Sequence, residues 1–500
     1  MEACGRMPVT SPIPNPLPSY WHNPKSPLAN HREPSLPQEC DYLIIGSGIS
    51  GTLVAHNLLN VFPSAHIVML EARDACGGAT GRNGGHTKAA SYRTYLQHRK
   101  DLGKEEALKI VRLEYKNILE THRVAREMGI DCESQVCNTV DIVYDHETFD
   151  EGKEAIETLK ADASEEERKE GGMAWYKIHG QDETMPKFWV GSKNENPAVK
   201  GEEKVAGAFE YLAGRISAYR FSTGVLESCV ERGLKLWTNT PVLSITSVVK
   251  KLGILTPWRE VTTSRGLVRA ANVILATNGY TANLLSTLQS KIVPLRGQVT
   301  AQRPGNFAKF PTPLPTTYSF IYKNGYEYMI PRPLTNGPQH IVIGGGLGRL
   351  PAGGATQYGT CDDSTLNLEI SKYLRGSLVG YFGRENWGEK DGNEDELRRV
   401  VQEWTGIMGA TADGRPFVGE MPDTEGLWIS AGFNGHGMVQ CLKCAEALVH
   451  IIKGHILEDI KWFPRSFLIS AERIDGSTFR GRTDIKVPET REEAVPKGKL

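Results

Sequence analysis

The sequence predicts an α/β fold, with a discontinuous domain on a parallel sheet and a second, α+β domain on an antiparallel sheet woven through it. Three observations predict it. The 500 residues are too many for one compact core. A run of strand, glycine turn, helix and strand opens at Asp41 and closes at Glu71, and such a βαβ unit implies parallel strands. Strand-and-glycine elements of the same kind return twice further on, separated by different material.

In order along the chain, residues 1–39 are Pro-rich and read as an extended arm, with Tyr20 and Trp21 able to pin it to the surface. "DYLIIGSGISGTLVAHNLL" (41–59) reads as a buried strand, a turn, and a helix carrying Leu53, Leu58 and Leu59. "AHIVMLEA" (65–72) is a second buried strand ending at Glu71. Apolar residues at helical spacing predict a helix over 101–129, and "TVDIVYD" (139–145) alternates as a strand. Residues 150–172 predict a charged, largely solvated helix. Residues 233–248 and 270–280 return to short buried strands, while 326–333 and 340–346 read as an antiparallel pair in a different sheet. Residues 426–454 read as strand, glycine turn and a helix from about Met438 to Lys453, and the polar tail from about 470 is expected to be loosely held. The predicted division is an arm (1–39), nucleotide-domain segments at 40–100, 205–290 and 405–465, second-domain segments at 101–204 and 291–404, and a tail (466–500).

Composition narrows the function. Hydrophobic residues make up 39%, charged residues 23%, and the net charge is -1, so nothing electrostatic points to nucleic acid or an anionic membrane. No apolar run is long enough for a membrane span, and the proline-broken N-terminus is not a secretory signal. Nine cysteines, an odd number in a long chain, argue against a disulfide framework and for a reducing, cytoplasmic compartment. The terminal Gly-Lys-Leu resembles a peroxisomal Ser-Lys-Leu address, departing at its first residue.

The chemistry starts at Gly46-Ser47-Gly48-Ile49-Ser50-Gly51, a G-x-G-x-x-G between strand and helix. The first glycine allows the turn, the second lets a pyrophosphate approach the backbone, and the third lets the helix pack closely on the strand. Glu71 stands where an acid accepts hydrogen bonds from ribose hydroxyls, which argues against a 2′-phosphate. A dinucleotide is therefore expected. The next stretch, "GGATGRNGGHTK" (77–88), points to a flavin rather than NAD. Thr80 is expected at the pyrophosphate, and the Gly81-Arg82-Asn83 backbone, with Gly84, Gly85 and His86 following, at the isoalloxazine.

"LEAR" (Glu71, Ala72 and Arg73 closing it) followed by "GGATGRNGGH", with "ATNGYT" and "AGFNGHGM" further on, resembles the FAD-dependent D-amino-acid oxidase and sarcosine oxidase superfamily. Within it the chain is similar to gamma-glutamylputrescine oxidase-like members and, in its Pro-rich arm, to fungal oxidoreductases of which some serve secondary metabolism. The resemblance covers roughly residues 40–455. It implies a Rossmann-like FAD domain and further cofactor contacts. These are Val242 at the adenine, Ala276, Thr277, Asn278 and Gly279 over the ribityl and phosphate region, and Gly432, Asn434, Gly435, His436, Gly437 and Met438 at the flavin's pyrimidine edge. A helix starting near Met438 would aim its positive end at that ring.

The chain also departs from that pattern. The flavin-tethering cysteine of sarcosine-oxidase-like members is replaced by Gly406, which implies noncovalent FAD. Their carboxylate-gripping lysine is replaced by Val439, leaving Lys88, His86 and Arg332 as substitute cations. Tyr326 and Tyr328 read either as ring-lining residues or as ordinary sheet aromatics. Cys441 and Cys444 form a C-x-x-C inside the last predicted helix and read as core thiols; Cys132 and Cys137 give a weaker signal, and no metal site is expected.

The resulting expectation is an enzyme moving a hydride from the carbon of a C–N bond of an amine or amino-acid-like small molecule to flavin N5, with His436, Lys88, Tyr328 and Arg332 as catalytic candidates. Oxygen or another acceptor would then take the electrons. Oxidation of a C–C or C–O bond of a biosynthetic metabolite, an FAD-binding scaffold without turnover, and an NAD dehydrogenase are the alternatives.

Overall fold

Four apolar residues in a row bury both faces of a strand, and a parallel sheet covered on both sides requires this. Ile67–Leu70 is such a strand, fully buried, and it lies beside Glu39–Ile45. The structure, a computed structural model, describes residues 1–246, 258–334, 339–389 and 398–483. The terminal Gly-Lys-Leu and the acidic stretch around Asp391 lie outside them.

The first sheet runs Phe417–Glu420, Leu427–Ala431, Gly266–Leu275, Glu39–Ile45, Ile67–Leu70, Lys235–Trp237, so the first unit and both expected returns join one sheet. Its centre is parallel. Arg259–Thr263 and Val242–Thr246 add an antiparallel extension. Val242–Thr246 is mostly exposed rather than buried as expected, because it pairs only at the edge of that extension. The helix Ile49–Val61 packs between Ala218–Glu231 and Cys441–Ile452, burying Leu53, Val54, Leu58 and Leu59. Each such side chain contributes roughly 1.5–3 kcal/mol of burial.

The second sheet runs Val400–Thr411, Ile292–Gln302, His340–Gly345, Gly325–Arg332, Thr317–Tyr322, Gln135–Val143, Gly207–Arg215, His86–Thr87, and is antiparallel except where Thr317–Tyr322 meets Gln135–Val143. The predicted pair at 326–333 and 340–346 is present in it. Gly207–Arg215 and His86–Thr87, read from the sequence as nucleotide-domain material, belong here because both pair into this sheet. These crossings carry the chain from one sheet to the other beside the glycine loop.

Several local readings are corrected. The helix expected over 101–129 is present as Lys104–Glu127, while residues 101 and 102 end a separate helix, Tyr92–Leu102, broken off at Gly103 with φ of 82°. The charged helix spans His146–Asp162 and buries Phe149, Ile156 and Leu159 on one face, with a short second helix, Glu165–Arg168, closed by a Ser164–Glu167 capping box. The last helix begins at Cys441; Gly437–Val439 is a single 3₁₀ turn, and Asn117 bonds both the Met438 carbonyl and the Lys443 amide there. The arm is not merely pinned to the surface by Tyr20 and Trp21. Tyr20 and Trp21 are buried, Tyr20 stacks on Trp404, and Trp21 Nε1 donates to the Asn83 carbonyl at 2.6 Å. Nor is the tail loose as far as residue 483: Arg473 is clamped by Asp413, and Phe479 is 2% exposed.

Candidate active site

A helix that starts without a side-chain cap leaves its first amides for a ligand. Ile49–Val61 has Gly48 as its N-cap and no side-chain cap bond, although Thr80 Oγ1 accepts from the Ile49 amide at 2.9 Å. Gly51 has no room for a side chain: a Cβ there would stand 2.0 Å from the Gly46 carbonyl oxygen. From this turn a single cleft of about 310 Å³ runs in both directions. One end is lined by Glu71, Ala72, Thr240 and Val242. The other reaches His86, Lys88, Tyr326, Tyr328, His436 and Met438 at the second sheet.

The Glu71 carboxylate is held at the cleft edge by the Ser47 amide (2.9 Å), the Ser47 hydroxyl (2.7 Å) and the Arg73 amide (3.0 Å). A carboxylate has about four acceptor positions, so capacity remains for a ribose hydroxyl. Ser50, Thr80, Ala276, Thr277 and Asn278 line the middle of the cleft. Asn278 Oδ1 accepts the Gly432 and Phe433 amides and so ties its own turn to the 432–438 turn.

The glycine loop is also packed closely by the protein itself. A Cβ on Gly81 would stand 2.3 Å from His22 Nε2, and one on Gly84 would stand 2.3 Å from the Tyr328 ring. The protein's own arm and sheet approach this backbone; Gly84 and Asn83 still line the cleft, and Gly81 and Gly85 lie behind it. Arg82 is a strut. Its guanidinium donates to the carbonyls of Gly77, Thr405 and Leu17, gathering loop, sheet and arm. Arg73 reaches the cleft wall and forms a buried ion pair with Asp363.

The remaining expected residues divide in the same way. Gly46, Gly48, Ile49, Gly435 and Gly437 line the cleft. Ser47, Gly279 and Gly432 lie outside its lining and shape the turns; Asn434 holds the Thr411 amide and hydroxyl. Val439 is buried and outside the lining. Arg332 is corrected as a substrate cation: it does not line the cleft, because its guanidinium is paired with Glu133 (2.8 Å) and stacked against Tyr20 and Trp21. Cys441 lines the cleft, and Cys444 is core.

At the inner end, Lys88 is buried and bonded to Asp141 and to Ser319 Oγ (2.5 Å). Burial pushes its ammonium pKa down, and the Asp141 carboxylate partly restores it. Asp141 also accepts the hydroxyls of Tyr92 (2.8 Å) and Tyr211 (2.9 Å). His86 bonds Thr317 Oγ1, and burial holds it well below the ordinary histidine value, so it is neutral. His436 Nδ1 donates to the Asn434 carbonyl at 3.0 Å.

Sequence reasoning missed Arg93, Asp141, Met408, Glu114 and Arg482. Arg93, Met408 and Arg482 line the cleft. Glu114 lies in a side chamber that shares Arg93 and His436 with it. None carries a local motif. The Glu114 carboxyl is fully buried, accepts from Ser91 and Gln440, and is pushed by burial up to about 7. A raised carboxyl keeps its proton in the folded state where the unfolded chain has lost it. Stability is therefore fullest below pH 4.5 and falls as pH rises through 7, by about 3 kcal/mol at most. Glu114→Gln is expected to remove this slope, so the melting temperature of the variant gains on that of the parent between pH 5 and pH 8. A constant gap across that range would refute the assignment.

Among the described residues there is no cluster able to hold a metal ion, and no helix is long and apolar enough to cross a membrane.

Residues 41–451 match the family model DAO, described as FAD dependent oxidoreductase. The Haemophilus influenzae protein named Probable oxidoreductase OrdL is 23% identical over 405 residues, 80% of each chain. A glycine oxidase of Pseudomonas putida is 27% identical over 212 residues, 42% of this chain and 48% of that one. The crystal structure of glycine oxidase from Geobacillus kaustophilus superimposes with a TM-score of 0.63 at 18% identity, covering 87% of this chain and 99% of the other, and shares the fold.

Proposed function

The chain belongs to the DAO family of FAD-dependent oxidoreductases, and on that premise we propose that it oxidises a C–N bond of an amine or amino-acid-like small molecule. The carrying observation is the single cleft that joins the dinucleotide turn to a set of titratable side chains on the second sheet. Its residues fit FAD. Gly46 and Gly48, with the uncapped helix start, suit a pyrophosphate, and Glu71 suits a ribose. Val242 suits the adenine, and Tyr328, Met408 and Met438 make an apolar slot for a flat ring. When bound, FAD supplies a two-electron acceptor for the hydride of the substrate carbon.

The chain does the rest. Gly84 and Tyr328 form one wall of the ring slot. The buried arm behind the glycine loop and the packed tail exclude water from it. His436, which lines the cleft and is oriented by its Nδ1 bond to the Asn434 carbonyl, is the group assigned to take the proton of a substrate ammonium. Water then hydrolyses the imine product.

Noncovalent attachment belongs to the same proposal, since Gly406 lies against Arg82, where a Cβ would stand 2.9 Å from the Arg82 Cβ. The test is the visible spectrum of the purified protein followed by acid precipitation. All colour in the supernatant is expected. Colour in the pellet would refute noncovalent binding and point to Cys441, the cysteine that lines the cleft. An anaerobic amine and amino-acid panel should then bleach the flavin. Bleaching only by substrates that release no ammonia or amine would replace the C–N reading with C–C or C–O oxidation.

A further inference from the structure

The family match begins at residue 41, yet two residues from before it, Ser11 and Pro12, line the cleft. Ser11 is also exposed, so it stands at the mouth of the cleft, between the interior and solvent. The stretch "SPIPNPLPS" (11–19) has proline at every second position. Each proline fixes its own φ and lacks an amide donor, so the stretch is stiff and costs little entropy to order.

Its anchors lie on both sides of the glycine turn. Asn283 Nδ2 donates to Ser11 Oγ at 3.1 Å, and Arg73 Nη1 donates to the Ile13 carbonyl at 3.3 Å. Both Asn283 and Arg73 line the cleft. Asn283 belongs to the short helix Thr281–Leu284 beyond the strand Gly266–Leu275, and Arg73 follows the strand Ile67–Leu70. These two strands flank Glu39–Ile45, whose end runs into the turn at 46–51. Residues 11–13 therefore bridge the crevice in which that turn presents its amides.

Other contacts fasten the arm before and after the bridge. Upstream, Gln289 Nε2 donates to the Gly5 and Met7 carbonyls, each at 2.8 Å, and Val9 is buried with Ala282 and Cys361. Downstream, the Leu17 amide donates to the Asp363 carbonyl at 2.8 Å, Gln402 Nε2 to the Pro18 carbonyl at 2.7 Å, and Ser19 Oγ to the Gly81 carbonyl at 2.6 Å. Gln289 and Gln402 lie outside the cleft lining.

We infer that the arm is a wall of the FAD site: Ser11 and Pro12 close the cleft over the dinucleotide, and the cofactor enters and leaves when residues 11–13 lift. This rests on the cleft holding FAD noncovalently, as proposed above. A lid fastened by protein contacts slows entry and exit alike. Loosening its fastenings raises the open fraction and speeds both, with affinity nearly unchanged. A change that merely damages the site speeds exit, lowers affinity and leaves entry as it was.

The test measures FAD exchange without turnover. Flavin-free protein is mixed with FAD and uptake is followed by the loss of FAD fluorescence. Loaded protein is diluted and release is followed by its return. Gln289→Ala removes the bonds to Gly5 and Met7 and one accepted from the Val9 amide. It is expected to speed uptake and release each about 10-fold, and Gln402→Ala each about 3-fold, with the dissociation constant changed by less than about 2-fold. The flavin-free variants should melt close to the parent. Faster release with unchanged uptake, or neither rate altered in either variant, would overturn the inference. Fastenings on two sides of the bridge keep the test decisive if one variant fails to fold. A parent that takes up no FAD would sink the cofactor reading as well; uptake and release indifferent to the arm would sink only this one.

Discussion

Gly51→Ala is expected to yield a protein that retains no flavin and is destabilised by about 3 kcal/mol or more. The added Cβ would stand 2.0 Å from the Gly46 carbonyl oxygen and 3.3 Å from the Ala276 Cβ. Neither is the far end of a flexible side chain. The strand and helix must separate at the very turn that presents amides to the pyrophosphate, so the fold and the cofactor site fail together. Gly78→Ala is the control: a Cβ there meets nothing within 4 Å, and Gly78 has negative φ. Its melting temperature in the absence of FAD should match the parent. A Gly51→Ala protein that melts like the parent and stays yellow would show that the packing at this turn yields more readily than its geometry indicates.

The second large effect is expected at Lys88 and Asp141. Both side chains are buried, at 7% and 0% exposure. Removing one partner leaves an uncompensated charge under the second sheet, at a cost of about 3–5 kcal/mol. Asp141→Asn strands the ammonium and weakens the acceptor of two tyrosine hydroxyls. Lys88→Met leaves the carboxylate with those hydroxyls only. The double variant has no charge to bury and should recover much of the loss. Denaturant unfolding of the four proteins gives the coupling energy directly. Additive single effects, within about 0.5 kcal/mol, would mean that the two charges do not sense each other.

What the sequence shows follows the range of the interactions involved. The G-x-G-x-x-G turn, its flanking strands and Glu71 were legible because a dinucleotide turn is made by residues adjacent in the chain. The two returns to the same parallel sheet were legible for a related reason: each is built of short apolar runs beside a glycine. The helix break at Gly103 and the late helix start at Cys441 were misplaced by a few residues, since apolar spacing marks a helix but not its ends.

The sequence by itself determined that this chain builds a dinucleotide domain of the FAD-dependent type, through local patterns that every later fold must accommodate. Tertiary structure alone decided which polar groups count. Arg332 looked available and is spent on Glu133 and two aromatic rings. Arg482 sat in a tail expected to be loose and lies in the cleft. Lys88 acquires its partner from a strand 53 residues away. Gly81 and Gly84 leave room for His22 and Tyr328, which come from distant segments. A side chain's charge is written in the sequence, but whether it is solvated, paired or aimed into a cleft depends on what distant segments pack against it, and no local pattern carries that.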